Sequence, residues 1–344
     1  MTSHSFLGTE LPIIQAPMAG AQKSALAIAV CNANAVGSLP CALLTPEVMR
    51  EELSALSKAG KPYNVNFFCH VPPVFDAEGE AKWRELLAPY FAELQIDPDS
   101  IATVPGRSPF SHEVADVLEE FKPPIVSFHF GLPAPDLLDR VRRWGALVLS
   151  SATTVDEARW LEARGVDAII AQGLEAGGHR GMFLSRNLNT QIGTFALVPQ
   201  IVNAVRVPVI AAGGIADAQT VRAALMLGAA AVQVGTAYLL CPEAMTSTVH
   251  REALKRNSGD NTALTNVITG GVARGIVNRL IRELGYINSS VPAFPLATSA
   301  TAALRAKAES LGSSEFSPLW AGQNISGCRE VNAAEITKGL AAYL

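Results

Sequence analysis

Pro208-Val-Ile-Ala-Ala-Gly-Gly-Ile215 is followed, about one helix-length later, by Ala231-Val-Gln-Val-Gly-Thr-Ala237. Both are short apolar runs, rich in β-branched residues, that stop at glycine. Runs without polar alternation belong to strands buried on both faces, as in a parallel sheet covered by helices. Asp217 stands where it can cap the helix after the first run. Gly213, Gly214 and Gly235 let backbone amides approach an anion closely, and Thr236 adds a hydroxyl at the start of a helical turn. A single glycine pair can mean no more than a tight turn. Two such ends on consecutive strands instead match the phosphate site built by the last βα units of a (β/α)8 barrel.

The same rhythm extends upstream. Apolar runs at 12–17, 35–39, 63–68, 124–129, 146–150 and 168–171 precede the two quoted, which makes eight expected strands. Thr45-Pro46-Glu47 and Thr154 open intervening helices with capping residues. Residues 72–109 break the rhythm with proline-rich edges and a helical centre near 82–94, which reads as a lid or excursion on the third strand's loop. After residue 241 the alternation stops; helical segments are expected at 244–257 and 272–284, and a closing helix within 330–344. The expected organisation is a barrel over 1–241, a smaller, mainly helical cap over 242–311, and a segment over 312–344 that returns to the barrel. The fold class is α/β.

Composition limits the function classes. The 344 residues are 49% hydrophobic, 17% charged and only 6% aromatic, so a large aliphatic core is affordable to this chain and disorder is not indicated. A formal charge of −4 offers no basic stripe for nucleic acid. No apolar run approaches the ~20 residues needed to cross a bilayer. The opening MTSHSFLGTELP lacks the basic region and apolar stretch of a secretory leader. Five scattered cysteines without a CxxC pair indicate reduced thiols and a cytoplasmic protein. The six histidines show no paired ligand spacing, so no metal site is expected. GxGxxG, GxxxxGK[ST], HExxH and GxSxG are all absent.

A second constellation, Ala171-Gln-Gly-Leu-Glu-Ala-Gly-Gly-His-Arg-Gly181, follows the sixth strand. Gln172 carries both a donor and an acceptor, suited to the polar edge of a heterocycle. Gly177, Gly178 and Gly181 free the backbone around His179, a residue type that serves as general base or charge-stabilising donor near neutral pH. A lone histidine is more often structural; glycines on both sides at a barrel's carboxyl face favour function. Gln15-Ala-Pro-Met-Ala-Gly20 ends the first strand, and Met18 is suited to packing on a flat ring. Asn66 ends the third strand and can bond the same ring or its phosphate chain. His129 ends the fourth, where pocket and structural roles are evenly balanced.

QAPMAGA, NVNFF, SFHFGLP, AQGLEAGGHRG, PVIAAGGI, VQVGTA and the late WAGQN of residues 320–324 together resemble the nitronate monooxygenases, formerly called 2-nitropropane dioxygenases. The resemblance covers about residues 10–325. It implies FMN at the barrel's carboxyl face, with Ala16, Pro17 and Met18 flanking the ring and Asn66 and Gln172 contacting it. Gly177, Gly178, Gly213, Gly214, Gln233, Val234, Gly235 and Thr236 would surround the phosphate chain, with Trp320 and Gln323 nearby. His179 would be the catalytic histidine, and His129, Phe294 and Thr298 would line the substrate pocket. The implied reaction oxidises alkyl nitronates such as propionate 3-nitronate with O2, yielding a carbonyl compound and nitrite, in a monomer or homodimer. The tyrosines and lysine that relatives carry near a PAYPLAY-like segment are Phe294, Thr298 and Ala302 here. Two other readings stay open: a flavin-dependent NAD(P)H reductase of the same fold, acting on enoyl-acyl-carrier-protein or quinone, and a flavin-free phosphate-binding barrel.

Overall fold

Eight apolar runs pair side by side, all parallel, in the computed structural model, which describes residues 6–101, 107–256 and 261–344. The strands are β1 (Ile13–Gln15), β2 (Gly37–Pro40), β3 (Tyr63–Phe68), β4 (Ile125–His129), β5 (Leu147–Ala152), β6 (Ala168–Gln172), β8 (Val209–Ala212) and β9 (Ala231–Val234), numbered in chain order around the short β7 (Gly178–His179). Their order is β1-β9-β8-β6-β5-β4-β3-β2. The ends join where Ile14 pairs with Val36: Gln15 N donates to Val36 O at 2.8 Å and Val36 N to Ile13 O at 2.9 Å. The sheet is therefore a closed (β/α)8 barrel. His4 and most of the chain's opening, residues 102–106 of the excursion and residue 257 of the expected 244–257 helix lie outside the described residues.

The capping signals work as read. Thr45 accepts from Val48 N, Thr154 from Glu157 N, and Asp217 exchanges hydrogen bonds with Thr220 in a capping box. Around the closure the barrel is tight. A Cβ on Gly37 would stand 2.0 Å from the Ala27 carbonyl oxygen, so only glycine lets helix Ser24–Asn32 lie this close to β2.

The segment after β9 holds a hairpin that the sequence reading did not anticipate. β10 (Thr262–Thr265) pairs antiparallel with β11 (Ala273–Ile276), and β11 pairs with β7 through Ala273 opposite His179. The helical expectation for 272–284 is thus corrected in its first half. Gly275 weakens a helix interior by about 1 kcal/mol, and here its bare Cα faces the Leu319 carbonyl, which a Cβ would approach to 2.7 Å. Helix begins only at Arg279, behind the Asn278 cap. Further helices span Thr248–Arg256, Thr298–Ser310 and Ala333–Leu340.

The excursion after β3 forms helix Ala77–Glu93. Its Trp83, Leu87 and Phe91 share one apolar cluster with Val267, Ile281, Leu304 and Phe316. The two departures from barrel rhythm therefore pack on each other, some 180 residues apart in the chain. Among the described residues no helix is long and apolar enough to cross a membrane.

Candidate active site

Strand alternation decides what faces the barrel's interior. In β9, Ala231 belongs to the inner apolar cluster while Val232 and Val234 pack outward with the helix layer, which leaves Gln233 pointing in. Ile14, Ile125, Leu149, Ile170 and Ile210 fill the inner layer in the same way. Two residues further along, toward the carboxyl ends, the inward positions turn polar: Ser127, Ser151, Gln172 and Gln233. An apolar floor and a polar mouth are thus written into alternate positions of each strand.

The mouth opens into a cavity of about 290 Å³ lined by Ala16, Pro17, Met18, Asn66, Gln172, Gly177, Gly178, Gly213, Gly214, Gln233, Gly235, Thr236, His129, His179 and Trp320. Every one of these was expected at the site. At one end Gly213 (φ +115°) and Gly214 (φ +73°) hold backbone conformations that side chains rarely adopt. A Cβ on Gly235 would press on Ala16 Cβ at 3.3 Å, and one on Gly177 would meet Gly322 N at 2.5 Å. The Gln233 Oε1 is buried without a partner, an acceptor that a ligand can satisfy. Thr236 Oγ1 accepts from Gly322 N at 3.0 Å, which leaves its proton to donate. Segment 322–324 ties this end together: Gln323 N donates to Glu175 O at 2.9 Å and Asn324 Nδ2 to Gly214 O at 2.9 Å.

His179 occupies the other end. Its Nε2 lies 2.9 Å from Thr269 Oγ1, and its ring centre is 5.0 Å from that of Phe294 and 5.5 Å from Trp320. Its backbone carbonyl accepts from Gln172 Nε2 at 2.9 Å and lies 3.1 Å from His129 Nε2. A carbonyl can only accept, so His129 carries its proton on Nε2, and its Nδ1 accepts from Ser151 Oγ at 3.0 Å. Gln172 Oε1 accepts from Gly181 N at 2.8 Å. Gln172 and His129 thus brace the loop that presents His179, a use that sequence reasoning missed for Gln172 and left open for His129.

Four expected residues sit off the cavity wall. Val234 faces outward because it is one alternation step from Gln233. Gln323 takes part through its backbone amide. Phe294 packs between His179 and His70 (5.0 and 4.9 Å between ring centres), behind the wall. Thr298 opens helix Thr298–Ser310 with a buried, unpartnered hydroxyl. Thr269, Ser151, Arg107 and His250 were not foreseen. Ser151 follows the alternation rule; the others come from segments without strand rhythm and carried no readable signal.

The nitronate monooxygenase family model matches residues 2–342. A Pseudomonas aeruginosa nitronate monooxygenase is 41% identical over 98% of this chain and 97% of its own, and one from Paraburkholderia phytofirmans is 41% identical over 97% and 92%. This chain belongs to the nitronate monooxygenase family. It is an oxidoreductase, in a family that is flavin-dependent in general. Among solved structures, a nitroalkane oxidase from Streptomyces ansochromogenes superposes with a TM-score of 0.88 at 38% identity, covering 97% of this chain and 95% of that one. A FabK structure from Thermotoga maritima is more distant, with a TM-score of 0.73 at 27% identity over 99% and 95%.

Burial keeps His129, His179 and His250 neutral in this family member. It pushes His129 and His250 down to about 4, and His179, with Arg107, His129 and His70 around it, well below the ordinary imidazole value of 6.5. As pH falls below about 6.5 the unfolded chain takes up protons that these folded sites refuse, so stability declines toward pH 4; above 6.5 they contribute no slope. Urea midpoints measured from pH 7.5 to 4.5 should fall, and His250→Asn should flatten the fall. Parallel curves for the two proteins would show that His250 is not held neutral.

Proposed function

We propose that the protein oxidises alkyl nitronates with O2 to a carbonyl compound and nitrite, using one non-covalently bound FMN. The observation that carries the reading is His179, fixed by Thr269 and by two donors on its own carbonyl, at one end of a cavity whose other end is a glycine-lined cradle. The chemistry of that cradle suits a terminal phosphate through bare glycines and the Thr236 proton, while the unpartnered Gln233 Oε1 suits an N–H donor such as a flavin ring carries. Ala16, Pro17, Met18 and Trp320 would hold the ring, with Asn66 and Gln172 at its polar edge and Gly177, Gly178, Gly213, Gly214 and Gly235 about the phosphate chain. Bound there, FMN supplies the one-electron and oxygen chemistry that no side chain offers.

The chain's own residues orient the substrate and manage protons. Being neutral, His179 can take a proton from a nitroalkane carbon at Nδ1, which makes no hydrogen bond among the described residues, while Thr269 steadies Nε2. Toward a nitronate, which is already deprotonated, it acts as hydrogen-bond partner only. Phe68, Phe130, Phe294 and Trp320 surround it and exclude water. The cysteine pattern supports a reducing, cytoplasmic setting. We read the enzyme as a monomer or homodimer with neither nucleic-acid nor membrane partner.

Acid precipitation should release FMN, close to one per chain, identified by mass spectrometry; FAD or no flavin would overturn the cofactor assignment. His179→Asn should lose ~10²-fold or more of its turnover of neutral nitroalkane, the range of general-base catalysis, and much less with the matching nitronate. Equal modest losses on both, with flavin retained, would reduce His179 to a loop residue.

A further inference from the structure

On the cavity wall that His179 shares stands a cation with no counter-charge among the described residues. Arg107 lines the cavity, and its Nε and Nη1 are buried with no hydrogen-bond partner. Its guanidinium lies over the Phe294 ring, 5.6 Å from the centroid, with the His179 ring 5.0 Å from that centroid. Phe294 is thus a common neighbour of Arg107 and His179, which line the same cavity. His70 lies against the Arg107 backbone, and its own Nδ1 is buried and unbonded. The second cation on this wall, Arg305, is already matched: its Nε donates to Glu309 Oε1 at 2.9 Å, an oxygen that also accepts from Ser317 Oγ at 2.7 Å. Among the described residues no carboxylate pairs with Arg107.

An unpaired buried cation costs several kcal/mol, and a site keeps one where a ligand brings the missing charge. Burial and Arg305 lower Arg107 to about 10, still far above neutrality, so the charge persists at neutral pH. The planar fork of guanidinium matches a carboxylate through paired hydrogen bonds, and its charge lies over the Phe294 ring. His179 and His129 are neutral and supply no competing positive charge.

We propose that Arg107 is a specificity-determining residue that selects nitronates bearing a second anionic group, a carboxylate on the carbon chain, which it holds in the cavity it shares with His179. The proposal rests on the nitronate reading above and assigns a residue to a substrate feature that reading leaves open. Propionate 3-nitronate and propyl-1-nitronate differ only in carboxylate against methyl at the far end of the chain, and so isolate the group in question. Arg107→Met, uncharged and of similar length, should raise KM for propionate 3-nitronate about 10- to 100-fold, the range for a lost hydrogen bond to a charged group. It should change KM for propyl-1-nitronate less than about threefold, and Arg107→Lys should restore part of the loss.

Succinate carries the same spacing without a reactive centre, so its binding to the holoenzyme needs no turnover. Calorimetry should show wild-type protein binding succinate at least tenfold more tightly than butyrate, and Arg107→Met losing that difference. Equal KM losses on both nitronates would mean that Arg107 holds the nitronate group itself, and unchanged values on both would mean that it holds nothing; either overturns the proposal. Should wild-type protein turn over neither nitronate yet show Arg107-dependent succinate binding, the nitronate reading falls and the anion site stands. Should Arg107→Met lose its flavin, the wild-type succinate-to-butyrate ratio decides, and a ratio near one overturns the proposal.

Discussion

The backbone carbonyl of His179 is the point on which the site depends. Two side chains from different barrel strands converge on it, Gln172 Nε2 from β6 and His129 Nε2 from β4. Both strands are locked in the parallel barrel, so the carbonyl inherits their rigidity. Because an oxygen acceptor fixes the His129 tautomer, the Ser151 hydroxyl must donate to Nδ1, and burial keeps the imidazole uncharged. On the far side, β7 pairs with β11, so the same short segment closes the three-stranded sheet β10-β11-β7. The histidine ring is presented at the seam, and Thr269 from the β10–β11 connection reaches its Nε2.

The opposite end of the cavity is assembled from three loops that segment 322–324 ties together. Its backbone bonds Glu175 and Thr236, and its Asn324 side chain bonds Gly214. Gly177 and Gly322 are glycines because these chains cross at backbone distance: a Cβ on Gly322 would stand 2.8 Å from Glu175 O. Glu175 itself caps helix Thr194–Ala204 through Thr194 N and Oγ1, so the loop that precedes His179 is anchored at both its ends. A late stretch of sequence thereby sets the spacing of the cradle.

The barrel was legible because burial on two faces and helix capping leave local marks. Eight apolar runs, the Thr45, Thr154 and Asp217 caps and the glycine ends at 213–214 and 235 each report on their own neighbourhood. Most of the cavity wall followed, since residues at strand ends inherit their place from the strand. What escaped was non-local. β11 is a strand because β7 and β10 flank it, and nothing within residues 272–277 announces that. Gln172 braces a loop because Gly181 N comes back to it, nine residues on. Arg107 and Thr269 meet His179 only through the packing of the excursion on the hairpin segment. Val234 shows the period of two: one alternation step from Gln233, its side chain packs into the helix layer and not into the cavity.

These features together make the protein a device for oxidising a bound carbanion-like anion, and the most direct test is which reductant its flavin accepts. Anaerobic holoenzyme should be mixed in a stopped-flow instrument with propionate 3-nitronate and, separately, with NADH while the flavin absorbance is followed. The account predicts rapid loss of the visible flavin band with the nitronate and little change with NADH. Rapid bleaching by NADH, with the nitronate inert, would contradict it and make the protein a reductase built on the same barrel.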